Sequence, residues 1–269
     1  MLPFLLILPL ILGTTSSRPR RAPCPRSTLQ SLTTAYITAQ TTGTLTPLTT
    51  ANFTLPPTSA GSYHENFRPT SPSTGILSTP LKIDHAKSYH DTTSCATYTE
   101  LIITDPTHPY VLGTQIYLAA DGTTIAKVDT LVTDAGDWLF NATGTLRWAR
   151  SEDWGVIPEA ARDTREVIQA AADAYLDVFS DKSVQVPWGY PCARLEGGSY
   201  TGRGGEGDRC DVGIPSGVEL VERRYVIDET VGAVGVFLRF GGERGLPDSH
   251  EFRVEGGRVR FVHTLTVMG

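Results

Sequence analysis

Two histidines near the end of the sequence, His250 and His263, are the residues best suited to acid–base chemistry. Between them, Gly256-Gly257 has the composition of a two-residue β-hairpin turn. A hairpin centred on that turn places the histidines opposite each other on one face, because side chains alternate along a strand. Such a pair could act as general acid and base, with Asp248 nearby to fix a tautomer. The alternative is one hydrogen-bonded core histidine and one at the sheet edge.

Four aromatic residues and an arginine are candidates for binding a ligand near these histidines. Tyr175 and Tyr225 are predicted to line the pocket, and Trp188 and Tyr190 are predicted to form its mouth. Arg224 could clamp an anionic group through its guanidinium donors. Aromatic side chains at such positions are also typical of a hydrophobic core, which is the structural alternative.

Other chemistries lack their sequence signatures. Asp84, His85, His90 and Asp91 are metal-ligand residue types, but their spacing fits no standard metal site and indicates a solvated strand end. The glycine-rich segment 186–217 lacks the strand-to-helix context of a phosphate-binding loop, and the sequence has no nucleophile elbow or zinc-protease motif. The net charge of -6 argues against a nucleic-acid partner. We therefore expect no metal and no cofactor.

The four cysteines are Cys24, Cys95, Cys192 and Cys210, an even number without a zinc-type CxxC pair. Three pairings into two disulfides are open, and the spacing favours Cys24–Cys95 and Cys192–Cys210, one in each half of the chain. Disulfides are typical of oxidising compartments. The second one would pin the glycine-rich segment as a lid or surface flap.

The N-terminal sequence predicts secretion. Residues 1–17 contain an uncharged apolar run that is too short for a membrane-spanning helix, followed by small polar residues, as in a cleavable signal peptide. Sequons at Asn52 and Asn141 fit N-glycosylation outside the cell. We therefore predict an extracellular protein without a membrane span.

Hydrophobic periodicity predicts the elements that must position the candidate residues. In the first half it indicates a helix at 27–40 and strands at 76–83, 97–104, 110–119 and 124–133. The aromatic segment 138–148 is interpreted as a linker or an added strand. In the second half the pattern indicates a helix at 157–179 and strands at 218–228, 233–240 and 249–267.

The two halves share one pattern of a helix followed by antiparallel strands and a final hairpin. We therefore predict a tandem repeat, with a signal peptide at 1–17, units at 24–136 and 157–269, and a linker at 137–156. At the positions of His250 and His263, the first unit has Gln115 and Asp129. A cavity in that unit would therefore have a different polar lining.

A helix packed on a bent antiparallel sheet that ends in such a hairpin resembles the nuclear transport factor 2-like superfamily. More closely, the chain resembles a family of fungal secreted proteins with a domain of unknown function. The segments that carry this resemblance are Tyr98–Leu101, His108–Tyr110, Gly136–Asn141, Val186–Gly189, Arg194–Gly202, Arg223–Asp228 and Pro247–Phe252. The resemblance implies secretion and an α+β fold of two cone-shaped curved sheets packed on helices. It implies no particular reaction, because this fold supports many.

Three functions are compatible with these features. The first is a cofactor-free lyase, isomerase or cyclase that acts on a small apolar metabolite through the two histidines. The second is a non-catalytic secreted protein that binds such a metabolite. The third is a cell-surface interaction protein whose interior is filled by side chains, with a protein partner that the sequence does not identify.

Overall fold

The computed structural model describes residues 24–56 and 62–269. The predicted signal peptide lies outside these residues. The described chain contains four α-helices and twelve strands, with two short 3-10 turns at Ile76–Ser78 and Glu159–Ala161. The fold is therefore α+β and dominated by sheets.

The first sheet contains six strands. They are β1 (Tyr63–Glu65), β2 (Arg68–Pro69), β3 (His85–Asp91), β4 (Ala96–Ile103), β5 (Tyr110–Leu118) and β6 (Ile125–Thr133). Their spatial order is β2-β1-β6-β5-β4-β3, in which the β1–β6 pair is parallel and the other pairs are antiparallel.

The second sheet repeats this arrangement. Its strands are β7 (Trp188–Glu196), β8 (Ser199–Tyr200), β9 (Leu220–Asp228), β10 (Ala233–Phe240), β11 (Leu246–Glu255) and β12 (Arg258–Thr266). The order β8-β7-β12-β11-β10-β9, with a parallel β7–β12 pair, is the order of the first sheet with every strand number raised by six. Two units with one strand order are what a tandem repeat predicts.

Each sheet has a helix on its outer face. The helices are α1 (Arg26–Thr42), α2 (Thr46–Thr50), α3 (Ala142–Ala149) and α4 (Arg165–Asp177). In α1, Leu29, Leu32 and Tyr36 recur at helical spacing and are buried against the first sheet. In α4, Ile168 and Tyr175 do the same against the second sheet. None of the helices in the described ranges is long and apolar enough to cross a membrane.

The inner faces of the two sheets pack against each other, and we call this contact the seam. It buries Tyr89, Tyr98 and Leu131 of the first unit against Phe237 of the second. Gly235 in β10 leaves the space that the Tyr98 ring occupies, since a Cβ there would lie 2.4 Å from ring atom Cδ2. Because helices cover the outer faces, the molecule has four layers, and all eight residues of β4 are buried.

Both predicted disulfides are confirmed. Cys24 precedes α1 and is bonded to Cys95 in the turn before β4, with a Cα–Cα distance of 5.2 Å. Cys192 in β7 is bonded to Cys210 in the following loop, with a Cα–Cα distance of 5.3 Å. Each bond lies within one unit.

Strand β3 corrects the prediction for this part of the first unit. The segment predicted as a strand at 76–83 forms only a 3-10 turn, and the strand is His85–Asp91, which was interpreted as a solvated strand end. This polar strand is stable at the seam because its charged groups have partners there. Arg165 donates to both oxygens of the fully buried Asp91 carboxylate, at 2.7 Å each.

Three other elements also differ from the prediction. The segment at 138–148, interpreted as a linker or strand, contains helix α3, whose N-cap Asn141 accepts a hydrogen bond from the backbone of Gly144. The predicted long loop at 186–217 contains strand β7. The second helix begins at Arg165 rather than near residue 157, because the Thr164 side chain caps it by accepting from the backbone of Val167.

Candidate functional site

The C-terminal hairpin of β11 and β12 contains a one-residue bulge. Near the turn Val254 faces Val259, as predicted. The next pair is Arg253 with Phe261, so Arg260 is the extra residue on β12. From this point to the end of the hairpin, every pairing is shifted by one residue from the predicted register.

The shift separates the two candidate histidines. His250 faces Thr264, whereas His263 faces Glu251. Because neighbouring positions on a strand point to opposite faces, His250 lies on the helix-covered face and His263 lies on the seam face. The prediction of an adjacent histidine pair is therefore wrong.

A cavity of about 470 Å³ lies between α4 and the face of the second sheet that carries His250. Its apolar lining consists of Trp138, Phe179, Pro215, Val218, Phe240, Leu246 and Met268. Its polar lining consists of Tyr175, Arg194, Glu196, Asp248, His250, Thr264 and Thr266. A concave, mostly apolar space with a few converging polar groups is typical of small-molecule sites.

His250 and Asp248 form a buried dyad on the cavity wall. Nδ1 of His250 lies 2.6 Å from Oδ1 of Asp248, and the Thr266 hydroxyl donates to the other carboxylate oxygen, also at 2.6 Å. An ionised carboxylate only accepts hydrogen bonds, so it holds the proton of a neutral imidazole on Nδ1. Nε2 of His250 has no hydrogen-bond partner among the described residues and is left as the basic nitrogen. Asp248 therefore lies where it can fix the tautomer of His250.

Tyr175 brings a hydroxyl group into the same cavity. The side chain is fully buried, and its hydroxyl has no hydrogen-bond partner in the described parts of the chain. Burial raises the pKa of Tyr175 to about 12, although the positive charge of nearby Arg194 acts in the opposite direction. At neutral pH this side chain is therefore a hydrogen-bond donor without a protein acceptor.

Arg194 and Glu196 form the charged part of the wall, and the sequence analysis missed both. Nε of Arg194 donates to Glu196 at 3.4 Å, and Nη1 donates to the Cys210 carbonyl at 3.2 Å. The Trp138 indole donates to the other Glu196 oxygen at 3.1 Å. Alternation along β7 would have placed both charged residues on one face, had this segment been recognised as a strand.

The other predicted ligand-binding aromatic residues lie outside the cavity lining. Trp188 packs behind it, with its ring centroid 5.7 Å from that of Tyr175. Tyr190 is 45% exposed on the disulfide-bonded loop. The Tyr225 hydroxyl donates to Asp173 of α4 at 2.6 Å, so it joins the helix to the sheet.

Arg224 lies at the seam rather than at the cavity. Its Nη2 donates to the buried carboxylate of Asp129 at 2.8 Å, and its guanidinium stacks 4.5 Å from the ring centroid of Phe67. In the first sheet Asp129 faces Gln115. In the second sheet the equivalent residues are His263, which corresponds to Asp129, and Glu251, which corresponds to Gln115. The positions that were predicted to line a cavity in the first unit therefore face the seam.

His263 belongs to a group of five ionisable side chains at the seam, which we call the seam cluster. Its members are Lys87, Glu100, Glu152, Glu251 and His263. The two nitrogens of His263 lie 2.9 Å from Glu100 and 2.6 Å from Glu152. The Lys87 ammonium lies 3.1 Å from Glu100 and 3.2 Å from Glu251. The cluster therefore joins β3 and β4 of the first unit to β11 and β12 of the second.

Aromatic side chains pack around the seam cluster. The hydroxyls of Tyr89 and Tyr98 donate to Glu251 at 2.7 and 3.1 Å. The Trp154 ring centroid lies 3.8 Å from the Lys87 ammonium, which is within the range of a cation–π contact. Every charged group of this cluster is thus paired, as buried charges require.

The pKa shifts in the seam cluster follow from these contacts. Burial and the Lys87 charge lower the pKa of His263, but Glu152 and Glu100 outweigh them and raise it to about 9. Burial raises the pKa of Glu251, and the negative charge of Glu100 acts in the same direction. At neutral pH His263 is therefore an imidazolium with both N–H groups donated to carboxylates, which leaves it no role as a base.

Three members of the seam cluster are also metal-ligand types. Glu100, Glu251 and His263 each offer a ligand atom, and these atoms lie within 4.8 Å of one another. The Lys87 ammonium already contacts all three side chains, and its distance to Nδ1 of His263 is 3.2 Å. Lysine thus supplies the positive charge that a cation would bring to this group.

Residues 161–266 match the family model described as Domain of unknown function (DUF8021). The chain is thus similar to a domain-of-unknown-function family over this segment, in agreement with that part of the resemblance. The matched segment contains α4 and the whole second sheet. It includes every residue that lines the cavity except Trp138 and Met268. No curated protein matches the chain.

Proposed function

We propose that the second unit binds a small, largely apolar molecule in its cavity and that His250 acts on this molecule as a general base. The reaction class is a cofactor-free elimination, isomerisation or cyclisation, in which proton transfer is the chemical step. The observation that carries the proposal is the buried Asp248–His250 dyad at the wall of a mostly apolar cavity.

The dyad has the parts that general-base catalysis needs. Asp248 orients the imidazole and stabilises the positive charge that forms when Nε2 takes a proton. Asp248 and His250 are 0% and 3% exposed, so water competes little for either group. A base in an apolar enclosure removes a proton without first losing a hydration shell, which lowers the barrier.

The cavity also supports binding in preference to a purely structural unit. In a protein that served only as an interaction module, side chains would fill the interior of the second unit, because interiors are closely packed. Here about 470 Å³ is left beside the dyad, within the usual range for small-molecule sites. A non-catalytic binding protein needs this space but does not need the dyad, and the experiment below separates the two.

The setting that we propose is extracellular. Two disulfides fit folding in an oxidising compartment, and both sequon asparagines, Asn52 and Asn141, are exposed and accessible to glycosylation. The finer relationship that we propose, to secreted fungal proteins with a nuclear transport factor 2-like cone, is supported by the family match and by the helix-covered sheet in each unit.

Nitrobenzisoxazole tests for a base in an apolar cavity. Removal of its C–H proton breaks the N–O bond and releases a coloured cyanophenolate, so the assay needs no knowledge of the natural substrate. We expect the purified protein to accelerate this reaction and His250→Gln to reduce the rate at least about 100-fold. The fluorescence of N-phenylnaphthylamine, a neutral apolar probe, should show that this variant still binds ligands.

Matched variants locate the reaction. Val218→Trp fills the cavity and should abolish both probe binding and turnover, whereas Val167→Trp, on the exposed side of α4, should change neither. His108→Gln removes an exposed imidazole and should leave the rate unchanged. Equal rates in the wild type and His250→Gln would refute the catalytic role. Probe binding without any turnover would leave the protein as a binder.

A further inference from the structure

The cavity wall contains two side chains, Tyr175 and Arg194, with hydrogen-bond donors that a ligand could use. The Tyr175 hydroxyl is fully buried and unpartnered among the described residues. Nη2 of Arg194 makes no hydrogen bond within residues 24–56 and 62–269, whereas Nε and Nη1 are both used. A buried donor without an acceptor is destabilising, so the Tyr175 hydroxyl points to an acceptor that a ligand supplies, and the Arg194 guanidinium borders the same cavity beside it.

The charges on the wall determine whether that acceptor is ionised. Arg194 carries one positive charge, and Glu196 compensates it at 3.4 Å. Both carboxylate oxygens of Asp248 already accept hydrogen bonds, one from His250 and one from the Thr266 hydroxyl. A ligand carboxylate would add a third negative group to a wall that has one guanidinium, and it would be buried without a partner of its own. Desolvation of such a charge is unfavourable, so the wall favours a neutral acceptor.

We propose that the ligand of this cavity is a neutral, largely apolar molecule with a carbonyl group, whose oxygen accepts from Tyr175 and Arg194. This inference rests on the proposed function and names the ligand class for the same site. The apolar lining holds the hydrocarbon part of the molecule, and the two donors orient the carbonyl group towards the side of the cavity that contains His250. Specificity then comes from hydrogen-bond donors that only a carbonyl compound satisfies.

Four naphthalene derivatives with one skeleton test the ligand class. They are methyl naphthyl ketone, the corresponding secondary alcohol, ethylnaphthalene and naphthoate, and their affinities are measured by displacement of N-phenylnaphthylamine. We expect the ketone to bind most tightly and naphthoate to bind at least about tenfold more weakly than the ketone. Ethylnaphthalene should bind roughly 3- to 10-fold more weakly than the ketone, because it satisfies neither donor.

Variants of the two donors show where the preference originates. Tyr175→Phe should reduce the affinity for the ketone roughly 3- to 10-fold and leave that for ethylnaphthalene unchanged. Arg194→Met should act in the same direction. Tyr225→Phe is the matched control, because its hydroxyl is bonded to Asp173 outside the cavity, and it should leave all four affinities unchanged.

The outcomes separate this inference from the proposed function. Tightest binding of naphthoate would overturn the neutral ligand class. Equal binding of ketone and ethylnaphthalene, or a ketone preference that survives in Tyr175→Phe and Arg194→Met, would overturn the role of the two donors. In those cases the cavity would still be a binding site. Failure of every derivative and of N-phenylnaphthylamine itself to bind would instead refute the proposed function.

Discussion

Raising the pH from 6 to 8.5 should weaken the whole fold through one buried histidine. His263 has a pKa of about 9 in the folded protein, against an ordinary value of 6.5. A group whose pKa is raised by folding stabilises the folded state fully below its unfolded pKa. That contribution is lost as the pH rises through the folded pKa. The relevant window is therefore the neutral to mildly alkaline range.

The size of the effect follows from the same two values. The difference between the folded and ordinary pKa values of His263 corresponds to about 3 kcal/mol of stability when the ring is fully protonated, since each pKa unit is worth about 1.4 kcal/mol. Between pH 6 and 8.5 about 2 kcal/mol of this should be lost, out of a total of roughly 5–15 kcal/mol for a typical protein. Glu100 and Glu152, whose pKa values are lowered, contribute only at acid pH, whereas Glu251, whose pKa is raised, acts in the same direction as His263 as the pH rises.

Urea unfolding at a series of pH values measures this loss. The free energy of unfolding of the wild type should fall over the window, whereas His263→Gln should be less stable at pH 6 and should depend less steeply on pH. His108→Gln, which removes an exposed imidazole, should keep the wild-type slope. An NMR titration of the His263 ring should show a midpoint near 9. A flat wild-type profile, or one slope for the wild type and His263→Gln, would refute the assigned ion pairs.

Two further predictions concern the seam and the cavity. Lys87→Met should lower the free energy of unfolding in urea by about 3–5 kcal/mol, because it leaves buried carboxylates without their cation. The exposed Lys82→Met should change it by less than about 0.5 kcal/mol, and equal effects would contradict the buried pairing. Replacing Cys192 and Cys210 with serine should weaken N-phenylnaphthylamine binding several-fold, because Arg194 on the cavity wall is held by the Cys210 carbonyl. Unchanged affinity would limit this disulfide to a stabilising role of about 3 kcal/mol.

The elements that were predictable from the sequence are those whose hydrophobic pattern lies within one short segment of the chain. Helix α1 and most of α4 show apolar residues at helical spacing, and the strands β4 to β6 and β9 to β12 are apolar or alternate between apolar and polar residues. The two disulfides also followed from spacing and from the even number of cysteines. In each case the interacting residues are close in sequence or of one distinctive type.

The elements that were missed depend on partners far away in the chain. Strand β3 has few apolar residues, and its buried Asp91 and half-buried Lys87 are compensated by Arg165 and Glu251 of the other unit. Strand β7 forms its ladder with β12, which lies about 70 residues later in the sequence, and its glycine and proline, Gly189 and Pro191, are typical of a loop. Local patterns contain no information about such partners.

The candidate site was predictable in part. Asp248 and Tyr175 were placed at the cavity with His250, since alternation on β11 and periodicity on α4 are local properties. The position of His263 depended on a register that a single bulge alters, and alternation cannot reveal an unpaired residue. Arg194 was missed together with its strand.

The bulge at Arg260 has a consequence for related sequences of different length. A relative that lacks one residue at this point in β12 would pair regularly along the whole hairpin, because Arg260 is the residue without a partner. The counterpart of His263 would still face the seam, and that of Thr264 would still face the cavity. Loss of this residue would therefore leave the chemistry of the cavity unchanged, whereas a relative of the same length without the bulge would exchange the two faces. Alignments of such relatives should therefore place gaps here by strand pairing and not by residue similarity.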